Sequence, residues 1–185
     1  MEELSYQMEE MEHQFVEKIA DNMRTFGVSE TIGRVLGVIY MNREPMTLDQ
    51  LSEATGMSKM RMSQVVREMI ELNIAEKVFK KGVRKDLINV ERDYYQTFIA
   101  LFTSSWRKSV SKGRMFEQHL RQQLQSINEN RPHDEKLDDI SEEKMNELLK
   151  EIKLWFDYYN WISRLIEFFE SGEIFKYVPK YIEKK

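Results

Sequence analysis

Between Glu30 and Glu91 the chain reads as three short amphipathic helical segments followed by two β-type runs around a glycine turn, an order that few folds accommodate. The first segment runs from Glu30 to about Asn42. Ser29 caps it, Ile32, Val35, Leu36, Ile39 and Tyr40 turn inward, and Pro45 closes it. Thr47 caps the second. Thr47-Leu-Asp-Gln50 has the capping-box pattern, in which a hydroxyl and an amide satisfy each other's free backbone donors. That short helix carries Leu48, Leu51 and Ala54 and stops at Gly56. Ser58 caps the third, which extends to Leu72. The tight turn Thr55-Gly56-Met57 needs backbone freedom, which Gly56 supplies. Ala75-Glu-Lys-Val-Phe-Lys80 and Asp86-Leu-Ile-Asn-Val-Glu91 then flank Lys81-Gly-Val-Arg-Lys85 as the arms of a hairpin.

Helix, short helix, turn, helix and hairpin, in that order, predict a winged helix-turn-helix, with the Ser58–Leu72 segment as the recognition helix. At a helical period Met62, Val65, Val66, Met69, Ile70 and Leu72 share one face, which must be core. Met60, Gln64, Arg67 and Glu71 lie opposite, flanked by Arg61 and Ser63. Arg can pair with guanine O6/N7, Gln with adenine, and an apolar group with a thymine methyl. Ser58, Lys59 and the free amides of the first turn can hold a phosphate. At the hairpin tip, Arg84 suits the adjacent minor groove, and Lys80, Lys81 and Lys85 suit phosphates. The competing use of such a module is a protein contact without specific DNA binding. Its outward positions would be more apolar, and Met60 is the one apolar outward residue read on the helix.

The net charge of −4 would disfavour a DNA binder if it were evenly spread. From Ser58 to Arg92, however, nine basic residues face five acidic ones, whereas from His133 to Glu151 eight acids face three bases. A basic module joined to an acidic one is the footprint of local phosphate binding.

Long helices flank this core. Leu4, Met8, Met11, Phe15, Ile19, Met23 and Phe26 recur every three or four residues on a helix ending at Gly27. After the hairpin, Phe98, Phe102, Trp106, Phe116, Leu120, Leu124 and Ile127 form one stripe that includes Gly113. Arg131-Pro-His-Asp-Glu135 is a polar break, and Ser141 caps a further helix to about Ser171. The expected fold is mainly α with a small β-hairpin wing: a winged helix-turn-helix plus long dimerisation helices. The expected domains are 1–27 for a dimer contact, 28–93 for DNA, and 94–185 for dimerisation and possible ligand binding. Two-fold pairing through these helices would set two recognition helices about one DNA turn apart, matching a pseudo-palindromic site. The alternative is that the helices cover one another within one chain.

Trp155-Phe-Asp-Tyr-Tyr-Asn-Trp-Ile162 is the densest aromatic run. Tyr158, Ile162, Leu165, Phe169, Trp155, Ile166 and Tyr159 form one broad face, with Phe156 to one side. Two uses stay open. One is packing against the long helix and a dimer mate. The other is a ligand pocket between the DNA-binding and dimer modules, with Trp106, Trp155, Tyr158, Tyr159 and Trp161 caging a quaternary ammonium compound.

The chain has no cysteine, no signal peptide and no apolar run near the ~18 residues of a membrane span, so a cytoplasmic protein without a membrane role is expected. His13, His119 and His133 have no metal-ligand spacing, the glycines form no phosphate loop, and no nucleophile elbow occurs. The acids of Asp134-Glu-Lys-Leu-Asp-Asp139 lack calcium-loop spacing. No metal, cofactor or enzyme activity is expected.

Gly33-Arg-Val-Leu-Gly-Val-Ile-Tyr40, then Glu44-Pro-Met-Thr-Leu-Asp-Gln-Leu-Ser-Glu-Ala-Thr-Gly-Met-Ser-Lys59, then Lys81-Gly-Val-Arg-Lys-Asp86 resemble the GbsR branch of the MarR-type regulators. The resemblance covers about Gln14 to Gln96, and its combination of segments is more specific than any one of them. It implies a dimeric transcription factor, usually a repressor, often of genes for uptake or synthesis of compatible solutes such as glycine betaine. One departure is visible. Relatives often lead into the helix after the wing with an Asp-Phe-Trp-like sequence, where this chain has Asp93-Tyr94-Tyr95.

Overall fold

The computed structural model describes residues 2–82, 84–129 and 139–181. The polar break at Arg131–Glu135, with His133, and Val83 at the hairpin tip lie outside them. The elements are α1 (Glu2–Met23), a 3-10 turn (Arg24–Phe26), α2 (Glu30–Asn42), β1 (Met46–Thr47), α3 (Leu48–Thr55), α4 (Lys59–Glu71), β2 (Ala75–Val78), β3 (Leu87–Val90), α5 (Tyr94–Glu129), α6 (Asp139–Glu170) and α7 (Ile174–Tyr177). The chain divides into two compact units, 1–105 and 106–185, with the boundary inside α5. Among the described residues no helix is long and apolar enough to cross a membrane.

The architecture is the expected one, mainly helical with a winged helix-turn-helix. In the first unit, Ile32, Leu36 and Ile39 of α2, Leu51 of α3, Met62, Val65 and Met69 of α4, Ile88 of β3 and Leu101 of α5 meet in one core. The expected inward face of α4 is buried, apart from Ile70, which is half-buried. The hairpin belongs to a three-stranded antiparallel sheet, ordered β1-β3-β2. Met46 pairs with Ile88 and Thr47 with Leu87. A two-residue strand shows no alternation, so periodicity could not reveal β1.

The winged core draws in part of α1. Gly33 and Gly37, one turn apart on α2, leave room for α1 to approach: a Cβ at Gly33 would lie 2.5 Å from Ala20 Cα, and one at Gly37 3.1 Å from Val16 Cα. Ile19, Ala20 and Met23 are consequently buried, while Leu4, Met8, Met11 and Phe15 stay exposed. Arg34 clamps the crossing, donating from Nε and Nη2 to the two carboxylate oxygens of Glu17 at 2.7 and 2.9 Å. That guanidinium holds the Glu17 carboxyl below its ordinary range.

Several boundaries differ from the expected ones for local reasons. α2 ends because Arg43 turns left-handed, at φ 61°, and its N–H reaches back to the carbonyls of Ile39 and Tyr40; Pro45 follows without closing the helix. Ser29 has the extended backbone of a cap but makes no side-chain cap bond. α6 begins at Asp139, so Ser141 sits in its first turn. α5 is started by Asp93, whose carboxylate accepts from the Tyr95 amide at 2.9 Å. The Tyr40 hydroxyl donates to the Glu91 carbonyl at 2.7 Å and lies 3.1 Å from Thr97 Oγ1, fastening α2 to the exit of the wing.

Part of the apolar stripe read on α5 is covered: Gly113 is buried, and Phe102, Trp106, Leu120 and Leu124 are half-buried. Thr97, Ile99, Leu101, Thr103 and Ser104 are buried, whereas Phe98 and Phe116 are about half exposed. One long helix passes through two units, and its inward face differs between them. In the second unit Val110, Ile162 and Ile166 form a small core with Trp106 and Tyr159 against it. Gly113 admits the Tyr159 ring, which would lie 3.0 Å from a Cβ there. Phe156, placed beside the broad face by periodicity, is buried, while Trp155 and Trp161 are more than half exposed.

Candidate nucleic-acid interface

The turn between α3 and α4 holds because each short helix start is satisfied locally. Thr47 Oγ1 accepts from the Gln50 amide at 3.2 Å, and Gln50 Oε1 accepts from the Thr47 amide at 2.8 Å, completing the capping box. Gly56 turns left-handed, at φ 69°. Ser58 Oγ then accepts from the Arg61 amide at 3.3 Å and starts α4.

Lys59, Met60, Arg61, Gln64 and Arg67 are exposed together on the outward face of α4, with Ser63 half-buried at its flank. Residues 59–67 contain no acid, whereas Glu68 and Glu71 follow on the exposed side. Phosphates are therefore favoured at the N-terminal half of α4 and repelled at its C-terminal end. That is the half by which recognition helices contact base edges.

The wing brings a second set of cations. Lys80, Lys81, Arg84 and Lys85 are all exposed. Lys77 and Asp86 pair across the hairpin at 2.7 Å. Among the described residues Arg61, Arg67, Lys80, Lys81 and Arg84 have no acidic partner; Lys59 and Lys85 do.

That partner is Asp49, in the first turn of α3. Lys59 Nζ lies 2.6 Å from Asp49 Oδ1, and Lys85 Nζ pairs with Asp49 Oδ2. One carboxylate thus ties the wing to the start of α4. Sequence reading gave Asp49 no role beyond its place inside the capping-box segment. Its two lysines come from distant parts of the chain, and no local pattern announces their convergence. The Lys59 ammonium first, and Lys85 second, hold the Asp49 carboxyl at about 2, below its usual 3.8. Because the folded value is the depressed one, the clamp is fully present above about pH 4 and is lost as pH falls through about 2. Carboxyl-carbon NMR should find that midpoint near 2, with Lys59→Met raising it toward the ordinary range. An unshifted midpoint in the unmodified protein would dismiss the clamp in solution.

The five aromatic residues singled out in the sequence all lie in the second unit and are brought together. Trp106 meets Tyr158 edge-on at 6.5 Å, Trp155 meets Tyr159 at 5.6 Å, and Tyr158 stacks on Trp161 at 6.4 Å. Trp106 and Tyr159 are partly covered, and Trp155, Tyr158 and Trp161 are exposed. Among the described residues no cluster of acids and histidines could hold a metal ion.

Residues 94–176 match the GbsR family transcriptional regulator, C-terminal helical hairpin. Over 94% of its length the chain is 65% identical to YvaV of Bacillus subtilis (strain 168), provisionally assigned as an HTH-type transcriptional regulator, covering 95% of it. It is 61% identical to the HTH-type transcriptional repressor OpcR of the same organism, over 94% of this chain and 91% of OpcR. It is 32% identical to the HTH-type transcriptional repressor GbsR, also of Bacillus subtilis, over 89% of this chain and 88% of GbsR. Among solved structures, a transcriptional regulator shares the fold, with a TM-score of 0.57 and 15% identity over 91% of this chain and 99% of the other.

Proposed function

We propose, from the premise that this chain belongs to the GbsR family of HTH-type transcriptional regulators and is not an enzyme, that it is a sequence-specific DNA-binding repressor acting as a homodimer on a pseudo-palindromic operator. The observation that carries this reading is the exposed, acid-free face of α4 at residues 59–67, tied through Asp49 to a cationic wing. Gln64 and Arg67 are the base-reading side chains, Met60 offers a thymine-methyl contact, and Ser58, Lys59, Arg61 and Ser63 line the approach. Lys80, Lys81, Arg84 and Lys85 serve the flanking backbone and minor groove. The names of OpcR and GbsR call them repressors, which supports that sign of regulation. The family resemblance supports compatible-solute genes as the target and the cytoplasm as the place of action.

Dimerisation rests on exposed apolar faces in each unit. Leu4, Met8, Met11 and Phe15 line one stripe of α1, and Phe116, Ile127, Leu154, Trp155 and Trp161 are exposed on α5 and α6. Exposed stripes of this extent mark association surfaces. Residues 1–27 and 94–185 accordingly supply the dimer contacts and 28–93 the DNA contacts. The joined rings of Trp106, Trp155, Tyr158, Tyr159 and Trp161 are the candidate binding surface for a quaternary ammonium effector.

A mobility shift on the DNA upstream of the protein's own gene tests this function, run across a salt series with unrelated competitor. Specific binding should survive competitor and weaken steeply as salt rises. Binding no tighter than to competitor, here and to sequences selected from a random pool, would favour a protein-contact module. The effector is tested on the same samples: tryptophan fluorescence unmoved by millimolar choline, betaine or carnitine would count heavily against it.

A further inference from the structure

Phe79 is 89% exposed, more than any other large apolar residue described. The Ala75-Glu-Lys-Val-Phe-Lys80 run reads as strand, but pairing ends at Val78↔Leu87, and Phe79 stands just past the end of the ladder. Among the described residues no ring packs on it. Burying a phenylalanine stabilises a fold, and this one contributes almost nothing of that kind. A single exposed apolar residue would need no explanation by itself. The neighbourhood of Phe79 does.

Lys80 and Lys81 follow the ring directly in sequence and Arg84 lies further along the same turn; all three are exposed and have no acidic partner among the described residues. Lys85 of the same tip is tied through Asp49 to Lys59 at the start of α4. The tip is thereby tethered beside the helix end that would enter the major groove. Such a set of cations selects a polyanion, and a flat apolar ring next to them in the chain has one complementary surface on duplex DNA: the sugar and base edges inside the groove that the phosphates border.

We propose that Phe79 is a DNA-contacting residue, its ring wedging into the minor groove next to the half-site alongside Arg84, while Lys80 and Lys81 hold the bordering phosphates. This rests on the DNA-binding reading above. Phenylalanine wedges of this type loosen the stacking of a base step and kink the duplex. The contact is apolar, so it differs from every other wing contact in its response to salt. Counterion release follows the charges a protein brings, and Phe79 brings none.

The test uses the full chain and a duplex recovered from a random-sequence pool by the unmodified protein, with 2-aminopurine placed in turn at positions flanking each half-site. The unmodified protein should brighten 2-aminopurine at one flanking step. Phe79→Ala should abolish that signal and weaken binding about tenfold. It should leave the slope of log affinity against log salt unchanged. Phe79→Leu should retain part of both effects, and Arg84→Ala should reduce the slope by about 1. Affinity within about twofold of the unmodified protein, with the 2-aminopurine signal intact in Phe79→Ala, would overturn the wedge. So would a regulatory defect in cells with unchanged DNA binding, which would assign Phe79 to an acidic protein partner. Failure of the unmodified protein to enrich any sequence is a separate result and would defeat the DNA-binding reading itself.

Discussion

Arg67→Ala should weaken binding to the selected duplex by about 1–3 kcal/mol, or roughly 5- to 150-fold, and relax the preference at one base pair of each half-site. The expectation follows from where the residue stands. Arg67 is exposed on the outward face of α4, one turn beyond Gln64 and two residues before Met69, which is fully buried. Nothing described neutralises its guanidinium, so a bidentate pair with guanine would break no internal contact. Alanine keeps the helix and leaves the core untouched, so any loss reports on the interface rather than on folding. Arg84→Ala supplies the contrast: it should weaken all sequences nearly alike while reducing the salt slope. Titrations of both variants on the selected duplex and on single-base mismatches separate the two outcomes. Unchanged affinity in both would remove α4 and the wing from the reading surface.

Gly33→Ala should lower the stability of the first unit by about 2 kcal/mol, even though alanine is the better helix former by ~1 kcal/mol. The new Cβ would meet backbone, at 2.5 Å from Ala20 Cα and 3.0 Å from Ala20 N, with the Met23 side chain also at 2.7 Å. A flexible side chain can turn aside, but a helix backbone moves only as a whole. α1 would have to lift from α2, uncovering Ile19 and Met23 and lengthening the Arg34–Glu17 contact. Thermal unfolding should show a drop of roughly 4–8 °C for a chain of this length. Gly56→Ala should also destabilise, for a different reason. Its Cβ would meet nothing within 4 Å, and the cost would lie in holding φ at 69°. An unchanged melting temperature for Gly33→Ala would mean that α1 and α2 cross with room for a methyl group at Gly33.

Much of the fold was legible because its determinants are local. The Thr47–Gln50 capping box, Gly56 and the Ser58 cap fix α3, the turn and α4 from residues within four positions of each other. The inward face of α4 follows from the helical period alone. Periodicity lists the stripe on α5 and sets Phe156 beside the broad face of α6, but an apolar spacing does not say which of those residues the chain itself covers. β1 was missed because a two-residue strand exists only through its pairing with β3.

For the candidate interface, the sequence by itself determined which side chains face outward on α4 and where the basic wing begins, because a helix's period and a hairpin's turn are written into adjacent residues. Only the tertiary structure decided that Asp49 binds Lys59 and Lys85 together, that Gly33 and Gly37 serve the approach of α1, and that Phe79 stands uncovered at the wing. These three features depend on distances between segments far apart in the chain. Such distances are set by how the whole core packs, and no local pattern of residues encodes them.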